Sequence, residues 1–549
     1  MVEVNKPDYL SLVNKNGSGF NVSELVTSIV ASEIEPKRIL QTSKLEKTES
    51  SISGIGFLNS QSSTTHANFE TIANDKFFET ASTNSAGVEL NITDETKVAP
   101  TGQTISNVQV ARTMTFQLSG FASETETFGA NLQFQFGAWT DQTDTFVPKS
   151  TELETLEFID KTLSQVAALF SNVEGISAKV IDLTGEGESF TLVIESEETG
   201  AANGFQITAA DADAENDRWV TPNDDAIDYP NRQISQHSSN ASFELNGVLI
   251  ERATNRVSDV ITGVEINLKA DVAGPTSLAV TRSTANMKTT MSDVVFSLNE
   301  FRTELDRLTF IDLDGDENGP LALDPAVARI KSDFKKLSVE PILGYPDSPI
   351  YMSQLGIKTN SSGEFYVDEA VFERAVRETP DKFYAIKDQF TGSRSDGVDV
   401  FKSDFSTIPA GSYLIDQTDG VWAAGDTGLT KSEHNGGASF SFDEYPGVVV
   451  YTVDPNPDQF QIFVGEPFSE RVNDLMTSIL DLSSSVSKAE ETYKQQTIDI
   501  EERLEKLKAR EGLISSRYTQ QFGAMEKAMT QFNSTKTLLD NFIEAWKKN

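Results

Sequence analysis

Apolar residues in the last part of the chain recur at steps of three and four, the spacing of a helical heptad seam. The stripe begins near Arg471, ends near Trp546 and contains extra four-residue steps, which act as stutters and relax a supercoil. Its members are Val472, Leu475, Ile479, Leu482, Val486, Ala489, Tyr493, Ile500, Leu504, Leu507, Ile514, Tyr518, Phe522, Met525, Met529 and Phe532. No proline follows Pro467, so the pattern predicts helix for tens of residues.

The front of the chain predicts two helices that Pro36 separates. Asn21 or Ser23 can cap the first, and glycines 54 and 56 weaken the second by about 1 kcal/mol each relative to alanine. The apolar faces are Leu25, Val26, Ile29 and Val30 on the first helix, and Ile39, Leu45, Ile52, Ile55 and Leu58 on the second. Such helices need partners, which could be the opposite end of the chain, another copy or a tubular assembly. Ordinary packing inside one chain is the alternative.

Between the ends, apolar and polar residues alternate at the two-residue period of half-buried strands. The clearest runs are Met114, Phe116 and Leu118, then Leu132, Phe134 and Phe136, then Phe190, Leu192 and Ile194. A helix is predicted over Thr155 to Val173. The acidic residues from Asp211 to Asp228 are interpreted as a solvated linker, with a domain boundary near residue 231.

The strongest local pattern is the hairpin ASFELNGVLIER, which turns at Asn246-Gly247, a pair that accepts the positive φ of a tight turn. Strands are predicted from Gly263 to Ala270 and from Ser277 to Thr281, followed by a helix from Ala285 to Leu308. Residues 391–465 are rich in Gly, Asp, Phe and Val, and predict an additional β-rich inserted domain.

Together these patterns predict an α+β protein in which long terminal α-helices form a coiled-coil leg and β-rich head domains are inserted between them. The predicted domains are an N-terminal helix segment (1–45), for which 510–549 is the candidate partner in the same chain, a helical leg (46–78 with 286–390 and 466–509), an inner β-rich head domain (79–107 and 232–285), an outer α+β head domain (108–231), an inserted β-rich domain (391–465) and a C-terminal coiled-coil segment (510–549).

Charge and composition narrow the possible partners. The chain has 84 acidic and 45 basic residues and a formal charge of -39, so its surface repels nucleic acid and anionic lipid alike. It has no cysteine, which excludes disulfides, thiolate metal sites and cysteine nucleophiles. Neither the basic-then-apolar pattern of a cleaved signal nor an apolar run of about 18 residues occurs, so we expect no membrane span.

No catalytic motif stands out, and we expect no enzyme and no cofactor. His66, His237 and His434 have no histidine or cysteine nearby at metal-ligand spacing. Asp312, Asp314 and Asp316 alternate as in a calcium loop, but Glu317 stands where that loop needs glycine, and Leu323 stands where it needs a bidentate glutamate. We therefore interpret this stretch as a solvated loop, with calcium binding as the lesser alternative.

Several of these segments, in this order, resemble the flagellar filament cap family, also called flagellar hook-associated protein 2. The matching segments are GSGFNVSELVTSIVASEIEPKR (Gly17 to Arg38), SFELNGVLIERATNRVSDVITGVEINLK (Ser242 to Lys269), LGIKTNSSGEFYVDEAVFERAVRETPDKF (Leu355 to Phe383) and FSERVNDLMTSIL with the seam that follows. The segment from Gly175 to Thr208 is similar to a repeat shared by flagellins and axial proteins. The 391–465 insert and the tail Trp546-Lys547-Lys548-Asn549 depart from the family pattern.

The resemblance implies a secreted, extracellular structural protein at the tip of the bacterial flagellar filament. Its implied partners are further copies of itself in a ring of about five, flagellin, the hook-filament junction protein, the flagellar export apparatus and an export chaperone. Self-assembly through the leg helices is expected to use Leu25, Ile29, Leu45, Ile52, Leu475, Ile479, Leu482, Leu504, Leu507, Ile514, Phe522 and Met529. The alternatives are a glycan-binding adhesin, in which Tyr413 and Trp422 stack on sugars, and another flagellar axial protein.

Overall fold

A computed structural model gives the fold for residues 18–19, 21–128, 131–140, 145–151, 154–210, 232–312, 317–418, 420–434 and 436–547. The chain divides into two compact units, one of residues 1–75 with 290–549 and one of residues 76–289. Long helices near both ends bracket a strand-rich middle, so the predicted α+β class is confirmed. The acidic stretch 211–228, the boundary near 231 and residues 313–316 of the calcium-like loop lie outside the described residues.

The described residues form eight α-helices, three of them longer than twenty residues. These are α1 (Val22–Ala73), α2 (Leu163–Phe170), α3 (Thr284–Leu308), α4 (Pro325–Val339), α5 (Glu369–Glu378), α6 (Tyr384–Lys387), α7 (Phe468–Leu480) and α8 (Ser485–Lys547). Short 3₁₀ turns occupy Ala201–Asn203, Met352–Gln354 and Pro380–Phe383.

Helix α1 is one continuous helix of 52 residues, and the predicted interruption at Pro36 is wrong. Proline removes one backbone hydrogen bond and crowds the preceding turn, at a cost of about 3 kcal/mol. Here Val30 and Ile34, on the turns before Pro36, are buried against the C-terminal helix. On the far side of Pro36, Ile55 and Leu58 are buried as well. Burial on both sides of the proline therefore offsets the local penalty.

The unit of residues 76–289 contains sixteen strands among its described residues. They are β1 (Phe78–Ser82), β2 (Val88–Ile92), β3 (Thr101–Gln109), β4 (Thr115–Phe121), β5 (Leu132–Thr140), β6 (Thr145–Pro148), β7 (Glu154–Leu156), β8 (Ile176–Asp182), β9 (Phe190–Ser196), β10 (Gly204–Ala209), β11 (Arg232–Gln236), β12 (Ala241–Leu245), β13 (Val248–Arg252), β14 (Arg256–Ile261), β15 (Val264–Leu268) and β16 (Thr276–Arg282).

These strands form four sheets, and all their pairings are antiparallel. The orders are β1-β16-β3-β12-β13, β14-β15-β2, β11-β4-β9-β8 and β10-β5-β6, with β7 beside β5. The predicted hairpin is confirmed, since Leu245 pairs with Val248 and the turn residues Asn246 and Gly247 have φ of 51° and 81°. The predicted strands around Phe116, Phe134 and Leu192 are confirmed too, and these residues share one core with α2.

The predicted helix over Thr155 to Val173 is too long, because only Leu163–Phe170 is helical. Thr162 begins the helix with a capping box, in which its side chain accepts from the Gln165 N–H and the Gln165 side chain accepts from the Thr162 N–H. Before it, Asp160 has a φ of 62°, outside the helical region. The residues further upstream extend as β7 and pair with β5.

Residues 390–465 form one eight-stranded antiparallel sheet, which confirms a β-rich stretch in this part of the chain. Its strands are β19 (Phe390–Ser393), β20 (Val398–Lys402), β21 (Gly411–Thr418), β22 (Val421–Ala424), β23 (Thr427–His434), β24 (Gly437–Phe442), β25 (Val448–Thr452) and β26 (Gln459–Gly465), and a separate small hairpin joins β17 (Ile357–Thr359) to β18 (Phe365–Val367). The order is β19-β26-β21-β22-β23-β24-β25-β20.

This order requires the sheet to curl, because β19 and β20 are its two edges and only residues 394–397 connect them. Eight strands laid flat would separate the edges by about 34 Å. The connecting residues can span at most about 18 Å. The sheet therefore closes towards a barrel around the aromatic residues Trp422, Phe440 and Phe460.

The helix that carries the C-terminal seam is interrupted between α7 and α8, where the sequence pattern predicted that the helix continues through Leu482. The Asp481 carboxylate accepts from the Ser483 N–H at 2.5 Å, and the Ser484 hydroxyl accepts from the Ser487 N–H at 3.0 Å. Serine and aspartate side chains compete with the helix for backbone hydrogen bonds in this way. Leu482 consequently lies in the turn and is 94% exposed.

Candidate assembly surface

The first turns of α1 pack against α8 through an apolar strip. Val22, Val26, Val30 and Ile34 follow one another at four-residue steps and are all buried. They face Ile514, which is buried, and Tyr518 and Phe522, which are partly buried. Side chains four residues apart lie on one helix face, so four turns of α1 present one continuous apolar surface to α8.

Polar contacts along the strip fix the two helices as antiparallel. The buried Glu526 carboxylate accepts from the Ser18 backbone N–H at 2.8 Å and also from the Ser18 hydroxyl. Further along, the Arg510 guanidinium donates to the Glu33 carboxylate at 3.4 Å. Residue numbers thus rise on one helix as they fall on the other. Because Glu526 is buried, its hydrogen bonds should contribute more than the exposed ion pair does.

Towards the other end of α1, residues of the segment that leads into α4 hold both α8 and α1. The Tyr493 hydroxyl donates to the Asp324 carboxylate at 2.8 Å, and burial with this hydrogen bond raises the pKa of Tyr493 to about 12. The Ser51 hydroxyl donates to the Pro320 carbonyl at 2.8 Å. Near the end of α1, Phe69 and Phe468 pack edge to face, with ring centroids 6.0 Å apart. Both helices are therefore held along most of their length.

The last part of α8 lacks such support within the described residues. From Glu526 to Lys547 the helix extends by about 30 Å. Seven large apolar side chains in this part are between 37% and 85% exposed: Met529, Phe532, Leu538, Leu539, Phe542, Ile543 and Trp546. A helix that exposes so much apolar surface to water needs a partner to be stable. We call the exposed surface that these seven side chains form the unpaired end of α8.

The twelve residues predicted to mediate self-assembly do not form one surface. Ile479 and Ile514 are buried inside the chain, whereas Leu482 lies in the turn between α7 and α8. Leu25 and Met529 are exposed. Those that are partly buried are Ile29, Leu45, Ile52, Leu475, Leu504, Leu507 and Phe522. Their role in assembly stays a prediction, and the exposed members are the ones available to another molecule.

Sequence reasoning identified part of the buried face of α1 and missed the role of Glu526. The predicted face includes Val26 and Val30, which the structure buries. It also includes the exposed Leu25, and it omits the buried Val22 and Ile34. A strict four-residue repeat of β-branched residues was visible and could have revealed them. Glu526 carried no such signal, because a single glutamate among many looks like a solvated charge.

The aromatics proposed for sugar binding are engaged inside the barrel. Trp422 is 6% exposed and packs against Phe440 and Phe460. The half-buried Tyr413 packs edge to face on Phe442 and donates its hydroxyl to the Pro409 carbonyl at 2.7 Å. Neither ring offers the open face that stacking on a sugar requires, so nothing in this region favours the adhesin alternative.

Each of the three histidines lies beside one aromatic ring or one carboxylate. His237 packs near Trp139, His434 packs near Tyr451, and the Nδ1 of His66 lies 3.7 Å from Glu70. Among the residues that the structure describes, no group of three or more histidines and carboxylates is placed to hold a metal ion. In the same described residues, no helix has the length and apolar character needed to cross a membrane.

Comparison with known proteins places these features in a family. The family model described as "Flagellar hook-associated protein 2 C-terminus" matches residues 238–534, more than half of the chain. The A-type flagellar hook-associated protein 2 of Pseudomonas aeruginosa is 24% identical over 400 residues, which cover 69% of this chain and 80% of that protein. The flagellar hook-associated protein 2 of Escherichia coli is 23% identical over 377 residues, covering 66% and 76% respectively.

The fold comparison agrees. The D1-D2-D3 domains of the flagellar cap protein from Escherichia coli superpose with a TM-score of 0.51 at 18% identity, covering 80% of this chain and 99% of that one. The paired terminal helices, the strand-rich middle and the family match over residues 238–534 together lead to one conclusion. The chain belongs to the flagellar hook-associated protein 2 family, whose members are structural cap proteins of the bacterial flagellum.

Proposed function

We propose that this protein caps the distal tip of the flagellar filament, outside the cell, as a ring of about five identical copies. The ring retains flagellin subunits that arrive through the filament and promotes their folding and addition beneath it. Its other partners in this proposal are the hook-filament junction protein and, during secretion, the flagellar export apparatus with an export chaperone. The mechanism is binding and positioning, without a chemical step.

The observation that carries the proposal is the unpaired end of α8, in a chain that belongs to a family of cap proteins. A cap must hold to neighbouring molecules by non-covalent contacts, and this helix exposes seven large apolar side chains within its last turns. The paired part of α8 anchors the helix to its own chain through Ile514 and Glu526. The exposed apolar side chains of the unpaired end can then pack in a helical bundle with other copies or with the filament.

The test removes apolar surface from the unpaired end without touching the paired part. Phe532, Leu539 and Phe542 would be replaced together by serine, and a matched variant would replace the exposed Lys536, Asp540 and Glu544 of the same helix. Both variants change three exposed helical positions, so a general loss of helix propensity affects them similarly. Cells with the apolar variant should secrete folded protein, build short filaments and lose flagellin to the medium.

Filament length, flagellin in the medium and electron micrographs of the purified protein provide the readouts. The matched polar variant should give filaments and rings like those of the wild type. Normal filaments with the apolar variant, or equal damage with both variants, would remove the unpaired end from the capping mechanism.

A further inference from the structure

A groove with a cationic end lies among α3, α4 and the β17–β18 hairpin. Two adjoining cavities form it, with volumes of about 500 Å³ and about 260 Å³. They share Ser338, Thr359 and Phe365, so the groove is elongated. The volume of the larger cavity lies in the range that is typical of binding pockets.

The larger cavity carries more positive than negative charge. Arg302, Lys331 and Lys335 line it, and Asp306 is the one carboxylate among the described residues that do so. Asp306 already forms ion pairs with two cations. The Lys331 Nζ lies 2.8 Å from one of its carboxylate oxygens, and an Arg302 Nη lies 3.3 Å from the other. Lys335 is exposed and has no ion-pair partner among the described residues. This local excess stands out in a chain of net charge -39.

Arg302 is also incompletely satisfied by its own chain. Its Nη1 donates to the Ser362 carbonyl at 2.8 Å, but its buried Nε–H has no hydrogen-bond partner within the described part of the chain. Most buried donors in folded proteins are paired, since an unpaired one costs free energy.

The smaller cavity supplies an apolar end. Leu298, Met352, Ile357 and Phe468 line it, and all four are buried. Lys358, the one cation among the described residues that line it, is already paired with Asp368 at 2.8 Å. An occupant that matches both ends must carry an apolar side chain and, a few residues away, one or more carboxylates. An extended stretch of polypeptide has this form, whereas a small anion would fill only one end.

We propose that this groove binds an acidic segment of a second copy of this chain. The inference rests on the proposed ring and names one contact within it. Copies that each carry a charge of -39 repel one another, so a contact between them is most favourable where one copy presents surplus positive charge. The same net charge ensures that carboxylates are abundant on whichever surface approaches.

The test compares two charge reversals on neighbouring residues of α4 in the full-length protein. Lys335→Glu reverses the unpaired charge in the groove. Lys336→Glu makes the same change one residue away, outside the groove, where the lysine pairs with Asp333. Both variants shift the net charge equally, so general repulsion between copies is matched. Equal thermal melts would establish that both fold.

Assembly is measured by sedimentation across a concentration series and by electron microscopy. We expect Lys335→Glu to raise the concentration needed for assembly about tenfold, because a favourable exposed pair becomes a repulsive one. Lys336→Glu should assemble like the wild type. If both variants assemble like the wild type, the groove is not the contact, although the proposed ring stands. A wild-type chain that stays monomeric at every concentration contradicts both.

A second measurement identifies the occupant directly. A photo-crosslinking residue at Val339, exposed at the rim of the groove, should capture a second copy in assembled protein. Mass spectrometry should then place the crosslink within a few residues of carboxylates, and Ser338→Trp, which fills the junction of the two cavities, should abolish it. Crosslinks to uncharged segments, or crosslinks that survive Ser338→Trp, would overturn the proposal.

Discussion

Two regions of α8 have the same kind of sequence and different surroundings. Between Ile514 and Glu526 the helix packs against α1, whereas from Met529 to Trp546 it exposes its apolar side chains. Both regions repeat apolar residues at three- and four-residue steps. What distinguishes the paired region is the buried carboxylate of Glu526, which joins the helix to Ser18. Apolar periodicity shows that a helix needs a partner, and the polar contact identifies which partner it has.

The largest expected effect separates two adjacent residues of α8. Ile514 is 7% exposed and Leu513 is 74% exposed. Ile514→Ala should cost about 2 to 5 kcal/mol of local stability, because it opens a cavity between α8 and α1. Leu513→Ala should stay within about 0.5 kcal/mol. Hydrogen exchange of amides in residues 22–34 measures both, and similar protection in the two variants would contradict the pairing.

A smaller effect is expected from Leu504 and Leu507, which are only partly buried. The double change Leu504→Ala with Leu507→Ala should cost about 1 to 4 kcal/mol, less than two core leucines would, and the two losses need not add. Lys506→Ala, on the exposed face between them, is the control. Chemical denaturation followed by helical circular dichroism provides the measurement. We expect the double leucine variant to lose more stability than Lys506→Ala does. Equal losses of stability would mean that the two faces of α8 are equivalent here.

The contact between Glu526 and Ser18 can be weakened by a substitution that keeps the shape of the side chain. Glu526→Gln keeps one acceptor for Ser18 but removes the charge that strengthens the hydrogen bonds, so we expect a cost of about 1 to 2 kcal/mol. Lys527→Gln, at the exposed neighbouring position, should have little effect. Amide hydrogen exchange near residue 18, relative to exchange near residue 69, measures this loss of stability. An unaffected Glu526→Gln variant would show that the apolar strip alone sets the pairing.

The smallest expected effect is a pH dependence at the start of α7. Burial, with the nearby Asp474 and Glu470 carboxylates, raises the pKa of Glu466 above its ordinary value near 4.5. The folded protein therefore holds this proton more tightly than the unfolded chain does, and ionisation of Glu466 costs stability as the pH rises above about 4.5.

Glu466→Gln should accordingly be more stable than the wild type at pH 7 and should lose that advantage at pH 4. The gain should be under about 1 kcal/mol, because the side chain is only half-buried and water screens its charge. Urea midpoints at the two pH values measure it, and Glu544→Gln on the unpaired end controls for net charge. If the urea midpoints of Glu466→Gln and the wild type differ by the same amount at both pH values, Glu466 is not the titrating group.

Local patterns predicted the elements well where chemistry and periodicity agree. The Asn246-Gly247 hairpin, the helix ending at Leu308 and the long C-terminal helix follow from turn chemistry, apolar spacing and the absence of proline. The errors arose where distant packing overrides a local preference. Pro36 does not break α1, because burial on both sides compensates, and Thr155 extends as a strand, because β5 offers it a partner.

The assembly surface was only partly predictable, for the same reason. Spacing shows that Leu504 and Ile514 lie on one stripe of a helix, but not which stripe meets another helix of the same chain. Whether Val22 or Leu25 is buried depends on where Glu526 meets Ser18, and these two residues are 508 positions apart in the sequence. The closure of the barrel around Trp422 likewise depends on strand order, which a stretch of alternating residues does not encode.

The barrel of residues 390–465 begins and ends at adjacent positions. Phe390 on β19 pairs with Gly465 on β26, and the buried Tyr345 donates its hydroxyl to the Asp388 carbonyl at 2.6 Å, just before the barrel begins. The chain thus leaves the helices and returns to them at nearly one point. Such a junction accepts segments of very different length without changing the spacing of its ends. It is therefore a natural place to graft a fluorescent or affinity module onto the protein, and a place where relatives can diverge in size.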